Sequence, residues 1–424
     1  MSTGLLTAGS GQSWENDLVA ALDRPGSPMI VLRRCVDIGD VLAIATTGQA
    51  SVAIVSADLR RLDTEAVSAL RASGVAVVGV HPAGDDRARV RLERIGITTL
   101  VSADAGSTAL LEAARTALAD VDGRPAPAPA GVVSDSRRSL PPRTATPGVE
   151  AAFAPPPMGR VVAVWGPTGA PGRTTVATGI ATESARAGIP TLLIDADVYG
   201  GVVASAFGLL DESPGLAGAC RSAANGRLDL AGMTALCWSL GDDLRLLTGI
   251  SRADRWPEIR PSAIPAVLAA AREMAPLTVV DCGFCLEADE EITFDTMAPR
   301  RNGATLAMLA EADVVFAVGS GDPPGMERLI RALTELGEAL PGVTARIVLN
   351  RCRSGAASAD EAADAVKRFA DAQVAAQLPE DRGATDKAWR RGLSLAEVAP
   401  DSPLTRGLRG LASSVAPVVV RASS

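Results

Sequence analysis

Residues 161–188 read VVAVWGPTGAPGRTTVATGIATESARAG, and this stretch predicts the fold of the larger part of the chain. An apolar run typical of a β-strand leads into a glycine-rich turn, and a run with helical character leads out of it. The turn has the outline of a phosphate-binding loop, for which the pattern is G-x-x-x-x-G-K-[ST]. Gly172 and Thr174 fit this pattern. Arg173, however, stands in place of the lysine, and Pro167 in place of the first glycine.

A glycine-rich turn between a strand and a helix lets backbone N–H groups converge on phosphate oxygens, and the helix N-terminus adds partial positive charge. In this reading Thr174 would offer its hydroxyl to Mg²⁺, and Thr175 would offer its hydroxyl to a phosphate. The alternative is an ordinary Gly/Pro turn that joins a strand to a helix. The residues expected to contact the nucleotide here are Gly169, Ala170, Pro171, Gly172, Arg173, Thr174 and Thr175.

Three aspartates stand at the ends of later strand-like runs. Asp195 and Asp197 close the run LLIDAD and lie on one face at a period of two. Asp281 ends the apolar run LTVVD, as expected of a Walker B strand. Because the carboxyl ends of parallel strands meet at one edge of a sheet, we expect Asp281 to reach Mg²⁺ together with Thr174.

The composition changes sharply between two halves of the chain. Residues 121–158 contain nine prolines mixed with alanine, serine and arginine, which suits a semi-extended linker better than a packed core. We therefore predict domains at 1–120 and 159–424, each large enough to bury a core. Both alternate strand-like and helix-like runs, which predicts the α/β class with parallel sheets covered on both faces. The five βα units of the first domain resemble a receiver domain in order and length, so we expect a receiver-like (βα)5 domain there. The second domain, with its glycine loop, resembles a doubly wound P-loop NTPase domain with a mostly parallel sheet.

Charge and composition exclude several classes of function. The net charge of −8, with scattered arginines, argues against a dedicated nucleic-acid-binding protein. The only lysines are Lys367 and Lys387, so Arg173 is the cation available to the loop segment. The chain has one histidine, which argues against a Ser-His-Asp hydrolase or a histidine-rich metal site. The N-terminus lacks the pattern of a signal peptide, and we expect a cytoplasmic protein.

The order of these motifs resembles the MinD/ParA group of deviant-Walker ATPases: a phosphate loop, a D-x-D strand, a Walker B strand and a late strand ending VLNR. The receiver-like domain ahead of them narrows the resemblance to the CpaE/TadZ branch, which includes actinobacterial septum-site-determining proteins. The resemblance implies that ATP or ADP binds with Mg²⁺. It implies a homodimer that positions Tad/Flp pilus assembly or the division septum, recruited to a pole or septum with at most peripheral membrane association.

The same resemblance implies roles for individual residues. The position of Asp197 orients or activates the attacking water, with Arg173 as the second catalytic residue. The position of Asp281 helps to hold Mg²⁺. The position of Asn350 contacts adenine, and the loop containing Pro379 and Asp381 closes over the base.

Two departures from the family pattern bear on catalysis. Thr168 holds the position of the signature lysine that reaches across a nucleotide-sandwich dimer in the family. Arg173 can pair with phosphate as a fork, but it matches the charge on a leaving oxygen less well than a compact ammonium group does. We therefore expect weak or no ATP hydrolysis. A catalytically inactive pseudo-ATPase scaffold is the alternative, and a ParA-type DNA partition factor is less favoured.

The N-terminal domain resembles a receiver domain that has lost its chemistry. Asp58, at the end of the third strand-like run, falls where the phosphoacceptor aspartate would lie. The turn at 7–10 lacks the acidic pair that would hold Mg²⁺, and the run TTLVSAD lacks the expected lysine. These absences favour a pseudo-receiver used for interaction or dimerisation over a working phosphoacceptor.

Two further segments leave alternatives open. The C-terminal stretch SPLTRGLRGLASSVAPVVV places apolar residues on one helical face, and a helix packed on the domain is favoured over a membrane-targeting helix. Residues 282–309 follow the Walker B strand, and they read equally as a switch or partner-binding segment and as a solvated loop.

Overall fold

A computed structural model of the chain places most of its residues in two compact units, Met1–Pro157 and Met158–Ser424. The residues that the structure describes are 3–9, 11–23, 29–122, 158–169, 171–209, 215–287, 300–353, 361, 364, 366–368, 372 and 374–417. The predicted linker therefore lies almost wholly outside the described residues. The last helix of the first unit extends to Asp122, a little beyond the predicted domain boundary.

The first unit is built on a sheet of five parallel strands in the order β2-β1-β3-β4-β5. Its strands β1 to β5 are Thr3–Ala8, Met29–Arg34, Val52–Ser56, Ala76–His81 and Thr99–Ser102. Its helices α1 to α5 are Ser13–Leu22, Ile38–Ala45, Thr64–Ala72, Asp86–Arg94 and Gly106–Asp122. Helices α2, α3 and α4 pack on one face of the sheet, and α1 and α5 pack on the other. This is the strand order of flavodoxin-like doubly wound sheets.

The expected end of the third strand at Asp58 was wrong, because β3 ends two residues earlier, at Ser56. The backbone turns away from the sheet after the Ala57 N–H has donated to Val80 O (2.7 Å), and the Leu59 N–H then donates back to Ser56 O (3.0 Å). Asp58 lies in this turn, where its Oδ2 accepts a hydrogen bond from Nε2 of Gln12 at 3.1 Å. The side chain of a neighbouring loop thus contacts the carboxylate.

The second unit contains an eight-stranded sheet in the order β13-β12-β11-β6-β10-β7-β9-β8. Its strands β6 to β13 are Arg160–Trp165, Thr191–Ala196, Trp238–Ser239, Leu244–Leu247, Leu277–Cys282, Val314–Ser320, Ala345–Cys352 and Val374–Pro379. All neighbouring pairs are parallel except β8 with β9, which confirms the mostly parallel sheet of the predicted α/β class. The edge strand β8 was not predicted, because two residues are too few to show a period.

Helices cover both faces of this sheet, and each face has its own apolar core. Helices α6 to α15 are Arg173–Arg186, Val203–Ala206, Gly215–Ala224, Leu230–Leu236, Ile264–Met274, Gly303–Glu311, Pro323–Ala339, Arg382–Arg391, Leu395–Val398 and Pro403–Val415, with 3₁₀ helices at Ala253–Glu258 and Pro261–Ala263. On one face, α6 packs beside α15. On the other, the core includes residues of α8, α10, α11 and α12.

The C-terminal helix α15 is packed on the domain, as the sequence favours. Its apolar face is buried, with Leu408 fully inaccessible to solvent. The Leu408 side chain fills the space beside Gly179 of α6, where a Cβ would come within 2.6 Å of Leu408 Cδ1. An ion pair joins the same two helices, since Arg409 Nε lies 2.7 Å from Oε2 of Glu183. Within the described parts of the chain, none of the helices has the length and apolarity needed to cross a bilayer.

Candidate functional site

The glycine-rich loop joins the central strand β6 to α6 and presents an open helix N-terminus. Gly169 and Gly172 have φ values of +98° and +96°, which are in the left-handed region that favours glycine. Gly172 also precedes the first residue of α6 and carries no side chain that could cap it. The first N–H groups of the helix therefore lack a side-chain partner at the N-cap, and this arrangement suits an anion.

Arg173 is folded back over this loop. Its Nη1 donates hydrogen bonds to Gly166 O (3.2 Å) and Pro167 O (3.0 Å). Its Nη2 lies 3.4 Å from Oδ2 of Asp197, and the Arg173 side chain is only 13% exposed. The ring of Phe284 lies beside the guanidinium, with 5.9 Å between the ring centroid and Cζ. The positive charge is thus held at the loop by backbone carbonyls and one carboxylate.

Asp197 follows β7 and is fixed from two sides. Its Oδ1 accepts hydrogen bonds from the N–H groups of Tyr199 (2.9 Å) and Gly200 (3.3 Å). Its other oxygen, Oδ2, pairs with Arg173. The two predicted catalytic residues, which are distant in sequence, are therefore in direct contact.

Asp281 lies beside Asp195 across the sheet, because the two residues are in register on the neighbouring strands β10 and β7. Its carboxyl is almost completely buried, and Oδ2 has no hydrogen-bond partner among the residues that the structure describes. Burial raises the pKa of Asp281 well above its usual value, and the charge of Asp195 raises it further, while a hydrogen bond from the Thr174 side chain acts in the opposite direction. The two predicted metal ligands, Thr174 and Asp281, are therefore brought together.

Asp195 has a different role from Asp197, although the sequence pairs them. Its two oxygens accept hydrogen bonds from the N–H groups of Asp197 (3.2 Å) and Val203 (3.1 Å). Burial raises the pKa of Asp195 to about 7. A Cβ on Gly201 would come within 2.6 Å of its Oδ1, so the following turn packs tightly on the carboxyl. Asp195 thus anchors the turn that presents Asp197.

Asn350, on β12, contacts the loop rather than open solvent. Its Nδ2 donates to Pro171 O at 2.8 Å, and a Cβ on Gly172 would come within 2.2 Å of the same nitrogen. A cleft of about 320 Å³ opens beside this contact. Most of the remaining residues predicted to bind the nucleotide line it: Gly172, Thr175, Asn350, Pro379 and Asp381. Ala170, which was also predicted, lies outside the described residues.

The sequence did not point to Trp389 on α13, which lines the same cleft and is 44% exposed. Asp381 is the N-cap of this helix, since its Oδ1 accepts a hydrogen bond from the Ala384 N–H at 2.9 Å. The sequence feature that could have predicted a role for Trp389 is the position of this aromatic residue, two helical turns after the predicted Pro379–Asp381 loop.

The segment that follows the Walker B strand is tied to the turn after Asp197. The Tyr199 hydroxyl donates to Oδ1 of Asn302 at 2.6 Å. The guanidinium of Arg301 lies over the Tyr199 ring at 3.9 Å, and the Phe284 ring lies 4.7 Å from that of Tyr199. These contacts join both ends of the segment to the turn, while residues 288–299 lie outside the described part of the chain.

Solved structures similar to this chain include ATPases of the MinD and ParA families. A ParA family ATPase from Chlorobium tepidum TLS has a TM-score of 0.51 and 18% sequence identity, and the match covers 60% of this chain and 98% of that chain. The cell division ATPase MinD from Pyrococcus furiosus has a TM-score of 0.48 at 19% identity, over 61% and 98% of the two chains. The septum site-determining protein MinD complexed with Mg-ADP from Pyrococcus horikoshii OT3 has a TM-score of 0.47 at 17% identity, over 61% and 96%.

No protein-family model and no curated protein matches the chain. The Met158–Ser424 unit, which carries the eight-stranded sheet, makes up a share of the chain similar to the 60% covered by the match to the Chlorobium protein. At such low sequence identity, the likeness to the Chlorobium protein shows the fold alone. The chain therefore contains the fold of a ParA family ATPase.

Proposed function

We propose that this chain is a MinD/ParA-like protein of the CpaE/TadZ type that binds ATP or ADP with Mg²⁺ at the β6–α6 loop. One observation carries the proposal: the glycine loop, Arg173, Asp197 and the Thr174–Asp281 pair converge at the carboxyl edge of one sheet. The fold shared with a ParA family ATPase supports it.

The residues at this edge fit a magnesium ion bound with phosphate. Carboxylate and hydroxyl oxygens are hard ligands, and the buried Oδ2 of Asp281 has a free coordination position among the described residues. In the described part of the chain, no group of three or more His, Cys, Asp or Glu side chains could hold a metal on its own. Magnesium sites are commonly completed by phosphate and water oxygens, and Thr174 and Asp281 would supply the protein ligands. Bound Mg²⁺ neutralises charge on transferring phosphate groups.

Arg173 and the loop backbone would hold the phosphates. Arginine has five N–H donors, and the hydrogen bonds of Arg173 to two carbonyls and to Asp197 in the described structure leave donors for a phosphate. The base would enter the cleft lined by Asn350, Pro379 and Asp381. Asp197 would orient water, although its pairing with Arg173 restrains it.

Hydrolysis is proposed to be weak or absent. The pseudo-ATPase scaffold remains the second candidate, because the Arg173–Asp197 ion pair ties up the side chain that would orient water. A DNA partition factor is less supported, given the net charge of −8.

For the first unit we propose a pseudo-receiver that supports interaction or homodimerisation. The strand order agrees with this assignment, and Gln12 occupies one oxygen of Asp58. The whole chain would then position pilus assembly or the division septum, recruited from the cytoplasm to a pole or septum. A fluorescent fusion of the full chain should form polar or septal foci in its host, and uniform fluorescence would contradict this part of the proposal.

Calorimetry on the full chain tests the nucleotide site directly. We expect saturable binding of Mg-ADP and Mg-ATP, with weaker binding when EDTA removes the metal. A chain that binds neither nucleotide would refute the proposal. Retained affinity in EDTA would contradict only the role of Thr174 and Asp281.

A further inference from the structure

A second guanidinium lies against the glycine-rich loop. Arg328, on α12, places Nη1 2.7 Å and Cζ 3.4 Å from the position that a Cβ on Gly169 would occupy. Gly169 has a φ of +98°, a conformation that favours glycine. The Arg328 side chain also occupies the space that a side chain at this position would need. The missing side chain is what allows this close approach.

The guanidinium of Arg328 is accessible for a ligand, and its charge also acts on the carboxylate of Asp322. Arg328 is exposed, and within the described residues no hydrogen bond or ion pair involves its guanidinium. Arg331, one turn further along α12, instead pairs with Glu327 at 2.8 Å. The largest lowering of the pKa of Asp322 comes from its hydrogen bond with Ser320, and the positive charge of Arg328 lowers this pKa further.

A second cation at the loop would favour the binding of a nucleotide. Three buried carboxyls, those of Asp195, Asp197 and Asp281, follow or end strands at the same carboxyl edge of the sheet as the loop, and Arg173 is already paired with Asp197. Thr168, next to Gly169, is uncharged. The phosphates of a nucleotide would add further negative charge, which Arg173 and one magnesium ion would balance only in part.

We propose that Arg328 is a phosphate-binding residue of the nucleotide site, supplied by α12 of the same chain. This inference rests on the proposed function of the loop. The guanidinium would pair with phosphate oxygens as a charge-assisted fork. Because it comes from the same chain, the site would bind nucleotide without a cation from a partner subunit.

Calorimetry with Mg-ADP on the full chain tests the assignment through three variants. Arg328→Gln should bind about tenfold more weakly, at the lower end expected for a hydrogen bond between charged groups. Arg328→Lys should recover part of this loss. Arg331→Gln, a matched change on the same helix, should bind within about twofold of the parent, since ion pairs between exposed side chains contribute little.

The outcomes separate this inference from the proposed function. Equal affinity of Arg328→Gln and the parent would overturn the role of Arg328 alone, while a parent chain that binds no nucleotide would overturn both. Thermal unfolding of Arg328→Gln should match the parent, because the side chain is exposed and unpaired in the described structure. Titrations at several protein concentrations complete the test: a defect seen only where the chain dimerises would place the cation in the partner's site and contradict the proposal.

Discussion

Arg173 Nη2 lies 3.4 Å from Oδ2 of Asp197, so the two residues assigned to catalysis form an ion pair with each other. Both side chains are largely buried, at 13% and 11% exposed. Removing one partner of a buried pair leaves a charge without compensation, which is more costly than losing the pair's attraction alone. Substitutions here should therefore affect stability as well as binding, and each needs a control that keeps the charge.

Arg173→Ala should weaken Mg-ADP binding by about 1.5–3 kcal/mol, the scale of a hydrogen bond to a charged group. Calorimetry on the full chain gives the value. Arg173→Lys keeps the charge and should lose less. Arg186→Ala removes an arginine from the far end of the same helix, where its side chain donates to Ala396 O, and should leave affinity unchanged. Equal affinities for Arg173→Ala and the parent would remove the assigned role of this residue.

Gly172→Ala should lose nucleotide binding and destabilise the fold, because the new Cβ would lie 2.2 Å from Nδ2 of Asn350. Gly188 at the end of α6 is the matched control, since its φ is +76° and a Cβ there would meet nothing within 4 Å. Both substitutions carry the left-handed backbone cost of about 1–2 kcal/mol. Only the Gly172 variant should exceed it in chemical denaturation and also fail to bind Mg-ADP. Similar losses in the two variants would show that backbone strain, rather than the Asn350 contact, sets the requirement for glycine.

Asp281→Asn should stabilise the ligand-free chain while it weakens Mg-ADP binding. Burial raises the pKa of Asp281 above its unfolded value of about 3.9, so only well below pH 4 is the carboxyl neutral in both states, where it costs nothing. As the pH rises, the unfolded state ionises first, and the parent loses stability at about 1.4 kcal/mol per unit of pKa difference. Thermal unfolding in EDTA should therefore show a variant that is more stable than the parent at pH 8, with the difference shrinking toward zero as the pH falls below about 4. A variant less stable than the parent at pH 8 would contradict the inferred pKa.

The main elements of the site could be predicted from local patterns, because strand ends and glycine-rich turns have recognisable residue patterns. Asp281 ends an apolar run, and the structure places it at the sheet edge beside Thr174. Contacts between segments that are far apart in the sequence produce no local pattern of this kind. The hydrogen bond from Asn350 to Pro171, and the approach of Arg328 to Gly169, depend on packing that brings separate elements together.

The error in the predicted end of β3 has a similar origin. The run SVAIVSAD is apolar up to its end, but β3 stops at Ser56 because the sheet's hydrogen bonds give way to a turn there. A period of two shows which face a residue occupies, and it does not show where pairing ends. The end of a strand can be located only from its hydrogen bonds with the neighbouring strand.

Asp58 should remain unmodified when the full chain is treated with acetyl phosphate and Mg²⁺. Gln12, rather than an acidic residue, approaches its carboxylate, with 3.1 Å between Nε2 and Oδ2. An amide N–H cannot take the place of the carboxylates that hold a cation for phosphoryl transfer. Intact-mass measurement gives the result directly, with Asp58→Asn as the control. A stable phosphate adduct that disappears in this variant would show a working receiver domain.

The purified chain should hydrolyse ATP far more slowly than ordinary ATPases. Asp197 is placed to orient water, but its Oδ1 accepts two backbone N–H bonds and its Oδ2 pairs with Arg173. Thr168 supplies no charge at the position where the resemblance to the MinD/ParA group implies a lysine, and a comparable cation, the arginine finger, can contribute about 10³–10⁵ in rate. Arg173 also matches the charge developing on the leaving oxygen less well than lysine does.

Phosphate release from the full chain, followed alongside two variants, tests this argument. The double variant with Thr168→Lys and Arg173→Lys should raise turnover, because it restores both ammonium groups. Asp197→Ala should abolish whatever turnover the parent has, and if calorimetry shows that it still binds Mg-ATP, the loss belongs to chemistry rather than to binding. A parent chain that turns over at about 1 s⁻¹ or faster, within the usual range of kinases, and loses that rate in Asp197→Ala would be a working ATPase. In that case neither the missing lysines nor the Arg173–Asp197 pair limits catalysis.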